Sequence, residues 1–330
     1  MLVMTDRRDR TYCSRIVVVV PYFGRLPTMF PLWLISCGYN SEIDWLVFTD
    51  DISSYECPGN VKIIHMSFDT IRATIQHLYT FKILLSTSYE LCQFRPAYGH
   101  IFKEYLINYD FWGYCDLDVV FGRISNFISQ KILEKYDKIL WLGHFSLYRN
   151  TPKINSAYML KTLNGDQLYE KAFTTTTVPC FDERGINDIF EANGLKLYRT
   201  TNFADFVHRN YLFKLLYYKN NDSYNTQNHI FSWKDGVLTR HYILNGVVLT
   251  EEFLYIHFCK RPMKLDFDLS KHITSLCIIP NKFVFLPNVI NVDYIIENTQ
   301  MRVYWEYWMP RIKPKHILKR IKGLITKLFR

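Results

Sequence analysis

The sequence predicts an α/β fold with a mainly parallel central sheet flanked by helices. Residues 16–20 are a continuous run of β-branched and aliphatic side chains that stops at Pro21, which is the pattern of a strand buried on both faces. The first 80 residues then read strand, helix, strand, strand, helix, an order typical of an α/β sheet. The composition, 48% apolar and 22% charged over 330 residues, is that of a folded chain with ample material for a core.

Apolar spacing predicts the elements of the first half. The strands are short runs of aliphatic and aromatic residues, and the helices repeat their apolar residues every three to four positions, as at Ile71, Ile75 and Leu78. In chain order, the predicted strands lie at 15–21, 44–51 and 61–66. The predicted helices are one within 29–40 that ends near Gly38, and others at 68–78 and 94–106.

The second half is expected to contain shorter elements. The predicted pieces are a strand at 111–122 broken by a polar turn, a helix at 124–136, a strand at 138–142, a mostly helical section at 150–193, and β pieces at 195–200, 229–243 and 253–258. No repeat or linker-like segment divides the chain. We therefore expect one compact unit over residues 1–310 and a separate tail over 311–330.

The net charge of +9 is concentrated in the tail. Residues 311–330 contain eight Lys and Arg and no Asp or Glu, whereas the rest of the chain contains 32 basic and 31 acidic side chains. A nucleic-acid-binding body would carry a basic face. We therefore expect no nucleic acid among the partners.

The cysteines and the N-terminus indicate the compartment. The eight cysteines are scattered and form no C-x-x-C motif, so neither a zinc site nor a disulfide scaffold is predicted from them. The N-terminal residues lack the apolar stretch of a secretory signal, and the longest aliphatic run, residues 16–20, is too short to cross a bilayer. The expected location is the cytoplasm.

The main candidate for chemistry is Asp116-Leu117-Asp118, where an apolar strand ends. Residues i and i+2 of an extended strand share one side, so the two carboxylates can face one ion. Two carboxylates suit Mg²⁺ or Mn²⁺, with a substrate diphosphate completing the coordination. The alternative is that both aspartates cap turns or pair with Arg95 or Arg123.

A second Asp-x-Asp occurs at residues 266–268. It lies between Lys264 and Lys271, in a stretch that has the character of a solvated surface. Context therefore favours the first copy as the metal site.

A second candidate group follows the apolar segment that ends near His257. The histidine is a possible third metal ligand, and Lys260, Arg261 and Lys264 are positioned to bind phosphate oxygens. A core histidine followed by a basic surface loop is an equally good interpretation of the residues alone.

Two strand ends are candidates for contacts with a nucleotide. After the first strand come Pro21, Tyr22, Phe23 and Gly24, where a base and ribose could lodge; after the second come Asp50 and Asp51, which could bond a ribose or base edge. A helix N-cap is an equally good role for the two aspartates. The chain has neither a P-loop nor a G-x-G-x-x-G motif, so neither ATP hydrolysis nor a dinucleotide cofactor is predicted.

The last acidic group is Asp182, Glu183 and Asp188 around one arginine. It can supply a catalytic or acceptor-binding carboxylate. Structural capping of a helix start is the favoured alternative, because acids are common in first turns.

At these residues the chain resembles GT-A type glycosyltransferases, and more closely an uncharacterised bacterial family associated with genes for capsule and other surface polysaccharides. The resemblance is strong over about the first 150 residues and thinner afterwards. The matching segments are PYFGRLP at 21–27, LWLISCGYN at 32–40, WLVFTDD at 45–51, FRPAYGHIF at 94–102, DFWGYCDLDVVFG at 110–122, and then LGHFSLYRNT, FDERGIN and YIHFCKRPM.

The resemblance implies a Rossmann-like half that binds a nucleotide sugar, over about residues 1–150, and an acceptor side over about 151–310. It implies a divalent ion on Asp116 and Asp118, a UDP-sugar as the preferred donor, and a growing glycan as acceptor. Arg95 and Tyr98 in the FRPAYGHIF segment, together with Leu117, are implied donor contacts.

The His257 segment is similar to that of the glycogenin-like retaining galactosyltransferases, in which a metal-binding histidine precedes a phosphate-binding lysine. The spacing to Lys260 is shorter here, so the resemblance leaves open which basic residue contacts phosphate. It favours retention of anomeric configuration. If the reaction inverts, Asp182, Glu183 and Asp188 are the candidates for its general base.

The tail is predicted to be a basic amphipathic helix on the surface of an anionic membrane. Its apolar residues follow the spacing of one helix face: Ile317, Leu318, Ile321, Leu324, Ile325, Leu328 and Phe329. The basic residues occupy other faces. Such a helix would bring the protein to the inner face of the cytoplasmic membrane, where lipid-linked oligosaccharide acceptors reside. The alternative is a helix docked on its own domain.

Two other functions use the same residues. A nucleotidyl- or phosphotransferase also places paired aspartates on an α/β sheet, but it reacts at the phosphates and releases no nucleoside diphosphate by sugar transfer. An inactive scaffold of a polysaccharide-assembly complex predicts that Asp116→Ala leaves function intact.

Overall fold

The structure is a computed structural model, and it describes residues 12–178, 180–207, 210–217, 228–267, 273–300 and 302–303. The tail at 311–330, Asp268 and Lys271 lie outside the described residues. The chain divides into two compact units. The first comprises Met1–Phe203 with Leu254–His257, and the second comprises Ala204–Phe253 with Phe258–Arg330.

The first unit is built on a seven-stranded sheet. Its strands are β1 (Ile16–Pro21), β2 (Ile43–Thr49), β3 (Val61–His65), β4 (Phe111–Cys115), β6 (Lys138–Leu142), β7 (Phe145–Arg149) and β8 (Leu197–Tyr198), and a separate strand β5 (Val119–Phe121) follows β4. The order across the sheet is β3-β2-β1-β4-β7-β6-β8. Pairings β3-β2, β2-β1, β1-β4 and β6-β8 are parallel, and β4-β7 and β7-β6 are antiparallel. The predicted α/β class with a mainly parallel sheet is confirmed.

Helices cover both faces of this sheet. They are α1 (Phe30–Gly38), α2 (Phe68–His77), α3 (Leu91–Phe94), α4 (Tyr98–Ile101), α5 (Lys103–Leu106), α6 (Gln130–Lys135), α7 (Pro152–Asn155), α8 (Leu168–Thr174) and α9 (Ile186–Ala192). A π-helical turn, Phe181–Gly185, leads directly into α9.

The alternation of β1 shows why its sequence is apolar without interruption. Ile16, Val18 and Val20 belong to one buried core, and Val17 and Val19 belong to another on the opposite face. Because a strand directs successive side chains to opposite faces, a strand covered on both sides needs apolar residues throughout. The predicted burial of residues 16–20 on both faces is confirmed.

The strand order creates a switch point between β1 and β4. From β1 the chain proceeds outward to β2 and β3, and it then returns to place β4 on the other side of β1. In open α/β sheets, ligands bind at the carboxyl ends of the strands at such a point. The loops that follow β1, β2 and β4 therefore mark the place to look for a site.

Two predicted helices are fragmented. The helix expected at 94–106 is divided among α3, a 3₁₀ turn at Arg95–Ala97, α4 and α5. Pro96 has no N–H to continue the hydrogen bonds of α3, so the chain is interrupted between α3 and α4. The helix expected at 124–136 is a 3₁₀ turn followed by α6. The section at 150–193 is mostly helical as expected, in short pieces.

The second unit contains a six-stranded sheet of order β12-β11-β10-β15-β16-β14. The strands of this sheet are β10 (His229–Lys234), β11 (Val237–Leu244), β12 (Val247–Phe253), β14 (Lys264–Leu265), β15 (Ser275–Ile279) and β16 (Lys282–Val284). The unit also contains the short strand β9 (Ala204–Asp205) and the helix α10 (Val292–Asn298). A small core of Ile230, Cys277, Ile279 and Ile295 joins α10 to the sheet. The predicted β piece at 253–258 is divided: β12 ends at Phe253, and β13 (Tyr255–His257) belongs to the first unit.

Among the helices of the described ranges, none combines the length and the apolar character needed to cross a bilayer.

Candidate functional site

The Asp116–Asp118 turn connects β4 to β5 and is anchored by its middle residue. Leu117 is 4% exposed and lies in the core on one face of the sheet. The flanking carboxylates are only partly covered, with side-chain exposures of 31% for Asp116 and 23% for Asp118. The burial of Leu117 in the core therefore anchors the turn, and its side chain is not available to contact a nucleotide-sugar donor.

His257 is brought to this turn by strand pairing. β13 runs antiparallel to β5, and His257 is the register partner of Val119, which directly follows Asp118. Nε2 of His257 lies 3.5 Å from Oδ1 of Asp118 and 3.8 Å from Oδ2 of Asp116. The three residues that the sequence proposed as metal ligands thus converge, and one ligand atom from each lies within 4.8 Å of the others.

These separations fit a single divalent ion. Oxygen ligands lie about 2.0–2.1 Å from Mg²⁺, so neighbouring ligands of one ion are roughly 3–4 Å apart. The two carboxylates suit Mg²⁺ or Mn²⁺, and an imidazole ligand favours the transition metal Mn²⁺ over Mg²⁺. The site residues therefore fit the expected metal.

Arg95 connects the metal-site turn to the acidic residues of the π-helical turn. Its Nη2 pairs with Oδ1 of Asp116, and its Nη1 donates to Oδ2 of Asp182 at 3.0 Å and to the carbonyl oxygen of Gly143 at 2.9 Å. Burial opposes the charge of the guanidinium, but Asp116 and Asp182 outweigh it and hold the pKa of Arg95 above its usual value. The alternative that Arg95 pairs with the motif is thus correct for one oxygen of Asp116, while Oδ2 faces His257.

Arg123 plays a different part. Its Nη1 donates to the carbonyl oxygen of Tyr39 at 3.1 Å, and its guanidinium lies over the Tyr39 ring. This contact ties Arg123, the second residue after β5, to the end of α1.

Asp182 and Glu183 both contact the Arg95–Gly143 network. Asp182 is 7% exposed, and burial raises its pKa to about 6 against the opposing effect of Arg95. Oε1 of Glu183 accepts a hydrogen bond from the Gly143 amide at 2.8 Å. Asp188 lies in the first turn of α9 and is exposed. Of the three predicted acids, Asp182 and Glu183 are therefore the two that the described contacts connect to the metal-site turn.

The loop after β1 is held by the acids after β2. Oδ1 of Asp50 accepts from the Gly24 amide at 2.7 Å, and Oδ2 of Asp51 accepts from the Leu26 amide at 2.8 Å. Hydrogen bonds from the Ser53 side chain and from the Leu26 and Ser53 amides lower the pKa of Asp51 to about 2. No helix begins at Asp50 or Asp51, so the N-cap alternative is wrong.

Tyr22 brings this loop close to the metal-site turn. Burial raises the pKa of Tyr22, and the carboxylate of Asp118 raises it further. Pro21 is the last residue of β1, and Phe23 is 7% exposed and packs against Phe68 with ring centroids 5.6 Å apart. The loop therefore offers Tyr22 and the backbone around Gly24 to a ligand, while Phe23 anchors it.

Tyr98 and Arg261 lie in buried surroundings. Tyr98 is 2% exposed, and its hydroxyl donates to the Leu91 carbonyl oxygen at 3.4 Å. Arg261, in the second unit, is 7% exposed and donates to Oδ1 of Asn281 at 3.0 Å and to three backbone carbonyl oxygens, those of Asn210, Tyr211 and Leu212. Lys260 is exposed, with a left-handed φ of 60°.

Gly143 and His144 were not singled out from the sequence. The His144 ring stacks on His257 with centroids 4.3 Å apart and an interplanar angle of 19°. Burial, together with His257 and Arg95, holds the pKa of His144 well below its usual value, so the ring is neutral. The position of Gly143 and His144 directly after a predicted strand was a sequence signal for a site. The end of a strand does not show which residues from other parts of the chain will contact it, so the signal was not sufficient.

The solved structures that are similar to this chain include two crystal structures of the galactosyltransferase LgtC, one in complex with donor and acceptor sugar analogs and one of an active site mutant. The first is 12% identical, covers 74% of this chain and 88% of LgtC, and has a TM-score of 0.34. The second is 10% identical, covers 75% and 88%, and has a TM-score of 0.35.

Among proteins with curated descriptions, none matches the chain. A family of unknown function, DUF6625, matches residues 18–287, which include all the strands of the seven-stranded sheet except the start of β1, the metal-site turn and His257. The chain therefore belongs to the DUF6625 family.

Proposed function

We propose that this chain is a metal-dependent glycosyltransferase that moves a sugar from a nucleotide-sugar donor, preferably a UDP-sugar, to a bacterial surface polysaccharide or a lipid-linked oligosaccharide. The observation that carries the proposal is the convergence of Asp116, Asp118 and His257 after β4. Mn²⁺ or Mg²⁺ bound by these residues would offset the charge that develops on a departing nucleoside diphosphate.

The position of this group in the sheet supports a nucleotide as its ligand. The 21–24 loop, the Asp50–Asp51 pair and the metal-site turn follow β1, β2 and β4, which are parallel and therefore end at one edge. This edge includes the switch point between β1 and β4. We assign the base and ribose to the 21–24 loop and the diphosphate to the metal site.

The acids of the π-helical turn are assigned to the reacting sugar. Asp182 and Glu183 are joined through Arg95 and Gly143 to Asp116, so they are held near the proposed leaving group. We propose that the transfer retains anomeric configuration, following the resemblance of the His257 segment. The stereochemistry of the product, read from its NMR coupling constants, tests this part separately.

A thermal-shift panel tests the donor and the metal together. The protein is heated with a series of nucleotide sugars, each with and without Mn²⁺. A donor at 100 times its dissociation constant should stabilise the folded state by about 2.7 kcal/mol. We expect this stabilisation to require Mn²⁺, and Asp118→Asn should abolish the metal-dependent part because it removes one of the two carboxylate ligands.

Asp266→Asn is the matched control. Asp266 is an exposed aspartate of the other Asp-x-Asp and lies outside the metal-site turn, so this variant should keep the full Mn²⁺-dependent shift. The proposal is wrong if no nucleotide sugar gives a metal-dependent shift, or if Asp118→Asn behaves like the wild type. Release of a nucleoside diphosphate together with a glycosylated acceptor distinguishes sugar transfer from nucleotidyl or phosphoryl transfer.

A further inference from the structure

Lys138 is a buried lysine with neutral hydrogen-bond acceptors. It begins β6 and is 0% exposed. Its Nζ donates to the Leu140 carbonyl oxygen at 2.7 Å, to Oδ1 of Asn187 at 3.1 Å and to Oγ of Ser146 at 3.3 Å. It also lies 5.2 Å from the centroid of the Tyr148 ring. Burying an amine is costly unless it is hydrogen-bonded, and burial lowers the pKa of Lys138 to about 7. A lysine in this place therefore needs a reason beyond packing.

The lysine sits at an irregularity in β6. The register between β6 and β7 shifts between Ile139 and Leu142, and Leu140 has a left-handed φ of 67°. The shift interrupts the regular ladder over residues 140–141, so the backbone at this end of β6 needs hydrogen-bond donors from elsewhere.

Side chains around Lys138 donate to three successive carbonyl groups here, those of residues 140–142. Lys138 itself donates to the first. Nδ2 of Asn187 donates to the carbonyl oxygen of Trp141 at 2.7 Å, and Oγ of Ser146 donates to that of Leu142 at 3.0 Å. Since Asn187 and Ser146 also accept from Lys138, one network joins β6 to β7 and to α9.

The residues that follow this network touch the proposed active site. The Gly143 amide donates to Glu183, and its carbonyl oxygen accepts from Arg95. The next carbonyl oxygen, that of His144, accepts from the Asp116 amide at 3.1 Å. The path of the chain at 143–144 thus decides where the guanidinium and a carboxylate of the site lie.

We propose that Lys138 is a positioning residue for sugar transfer: by fixing the irregular end of β6 against β7 and α9, it holds the Gly143 peptide between Arg95 and Glu183. This role rests on the proposed function. A displacement of about 1 Å of groups near the reacting atoms can cost up to about a hundredfold in rate. Lys138 therefore acts on turnover without touching the donor or the metal.

Lys138→Met tests the proposal, because it keeps an unbranched apolar side chain and removes all three donors. We expect kcat to fall at least about tenfold while KM for the donor stays within about twofold, the pattern of an interaction expressed in the transition state. The dissociation constant for Mn²⁺ should stay within about twofold, since its ligands are unchanged. Hydrogen exchange of the Gly143 and Asp116 amides should accelerate at least about tenfold, with β1 amides unaffected.

Lys135→Met, at an exposed lysine of α6, is the control and should change none of these quantities. Should Lys138→Met fail to fold, Ser146→Ala removes one member of the network with a minimal change in volume, and faster exchange at Gly143 is again expected. Unchanged exchange at Gly143 in the folded variant, or an unchanged kcat, overturns the proposal. A wild-type protein that transfers no sugar refutes the proposed function instead, and the exchange measurement still decides whether Lys138 positions Gly143.

Discussion

Gly143 is the point of contact between Arg95 and the two acids Asp182 and Glu183. A Cβ atom added to it would lie 2.6 Å from Oδ2 of Asp182, 3.1 Å from Oε1 of Glu183 and 3.2 Å from Nη1 of Arg95. Its own amide and carbonyl groups are hydrogen-bonded to two of these same side chains. Only a residue without a side chain allows both acids and the guanidinium to meet the backbone here.

Gly143→Ala should therefore displace the acids. We expect a loss of about 1–3 kcal/mol in the free energy of unfolding, as for other overpacked sites, and a fall in kcat of at least about tenfold. Denaturant unfolding and steady-state kinetics measure the two effects. Gly59→Ala is the control, because a Cβ there meets nothing within 4 Å; equal stability of the two variants would contradict this account.

The carboxyl group of Asp182 makes the free energy of unfolding depend on pH. Its pKa in the folded protein is about 6, raised from 3.8, so the folded state holds the proton more tightly than the unfolded state does. Such a carboxyl does not lower the free energy of unfolding below about pH 4. It lowers the free energy of unfolding progressively as the pH rises to about 6. The difference amounts to about 3 kcal/mol, at about 1.4 kcal/mol for each unit of pKa.

Asp182→Asn removes this titration. Relative to the wild type, the variant should gain stability between about pH 4 and 6 and hold a constant difference above about pH 6, as measured by denaturant unfolding at a series of pH values. Asp166→Asn, which also removes one carboxylate but at an exposed position, controls for the change in net charge. Parallel stability profiles for Asp182→Asn and the wild type would show that Asp182 does not titrate in this way.

At the scale of elements, the local part of the site was accessible to sequence reasoning. The apolar segment before Asp116 and the one after Asp118 predicted a strand, a polar turn and a second strand, and the structure has β4, the turn and β5 in these places. Leu117, apolar between two acids, is buried beneath the turn. Patterns of this kind depend on neighbours in the chain, which the sequence displays directly.

The non-local part was accessible only in part: His257 was a candidate ligand with an equally good alternative, and Gly143 was not found. His257 reaches the turn because β13 pairs with β5, and the position of Gly143 depends on the irregular end of β6, which side chains from β7 and α9 stabilise. Single-residue patterns do not encode which strands pair. Asn40 is a further example: its buried amide bonds the Gly122 carbonyl and the Ile124 amide, and so ties the end of α1 to the chain after β5.

Some elements were missed although their signal was present. β15 and β16 form a hairpin around Asn281, which has a left-handed φ of 71°. Pro280-Asn281 between two apolar runs is a turn signal. The apolar run of β15 is short, and a short apolar run alone does not distinguish a strand from a piece of buried helix.

At the scale of the whole molecule, the distribution of charge indicates that the body and the tail have different functions. The described site uses few basic residues, while eight of the nine excess positive charges belong to residues 311–330. A chain that is close to neutral outside its tail is not drawn to anionic surfaces by its body. We therefore propose that the tail, which lies outside the described residues, brings the protein to an anionic membrane, where the proposed lipid-linked acceptors would reside.

Deleting residues 311–330 should abolish binding to anionic vesicles and leave the metal-dependent donor shift intact. Each basic residue near the surface contributes about 1 kcal/mol, so losing even three of them should weaken vesicle binding by about a hundredfold. Sedimentation with vesicles containing anionic or only neutral lipids measures this, at low and high salt. Replacing Lys319, Arg320, Lys322 and Lys327 with Glu keeps the apolar residues of the tail and isolates the charge. Full vesicle binding by this variant would show that charge does not bring the tail to the membrane.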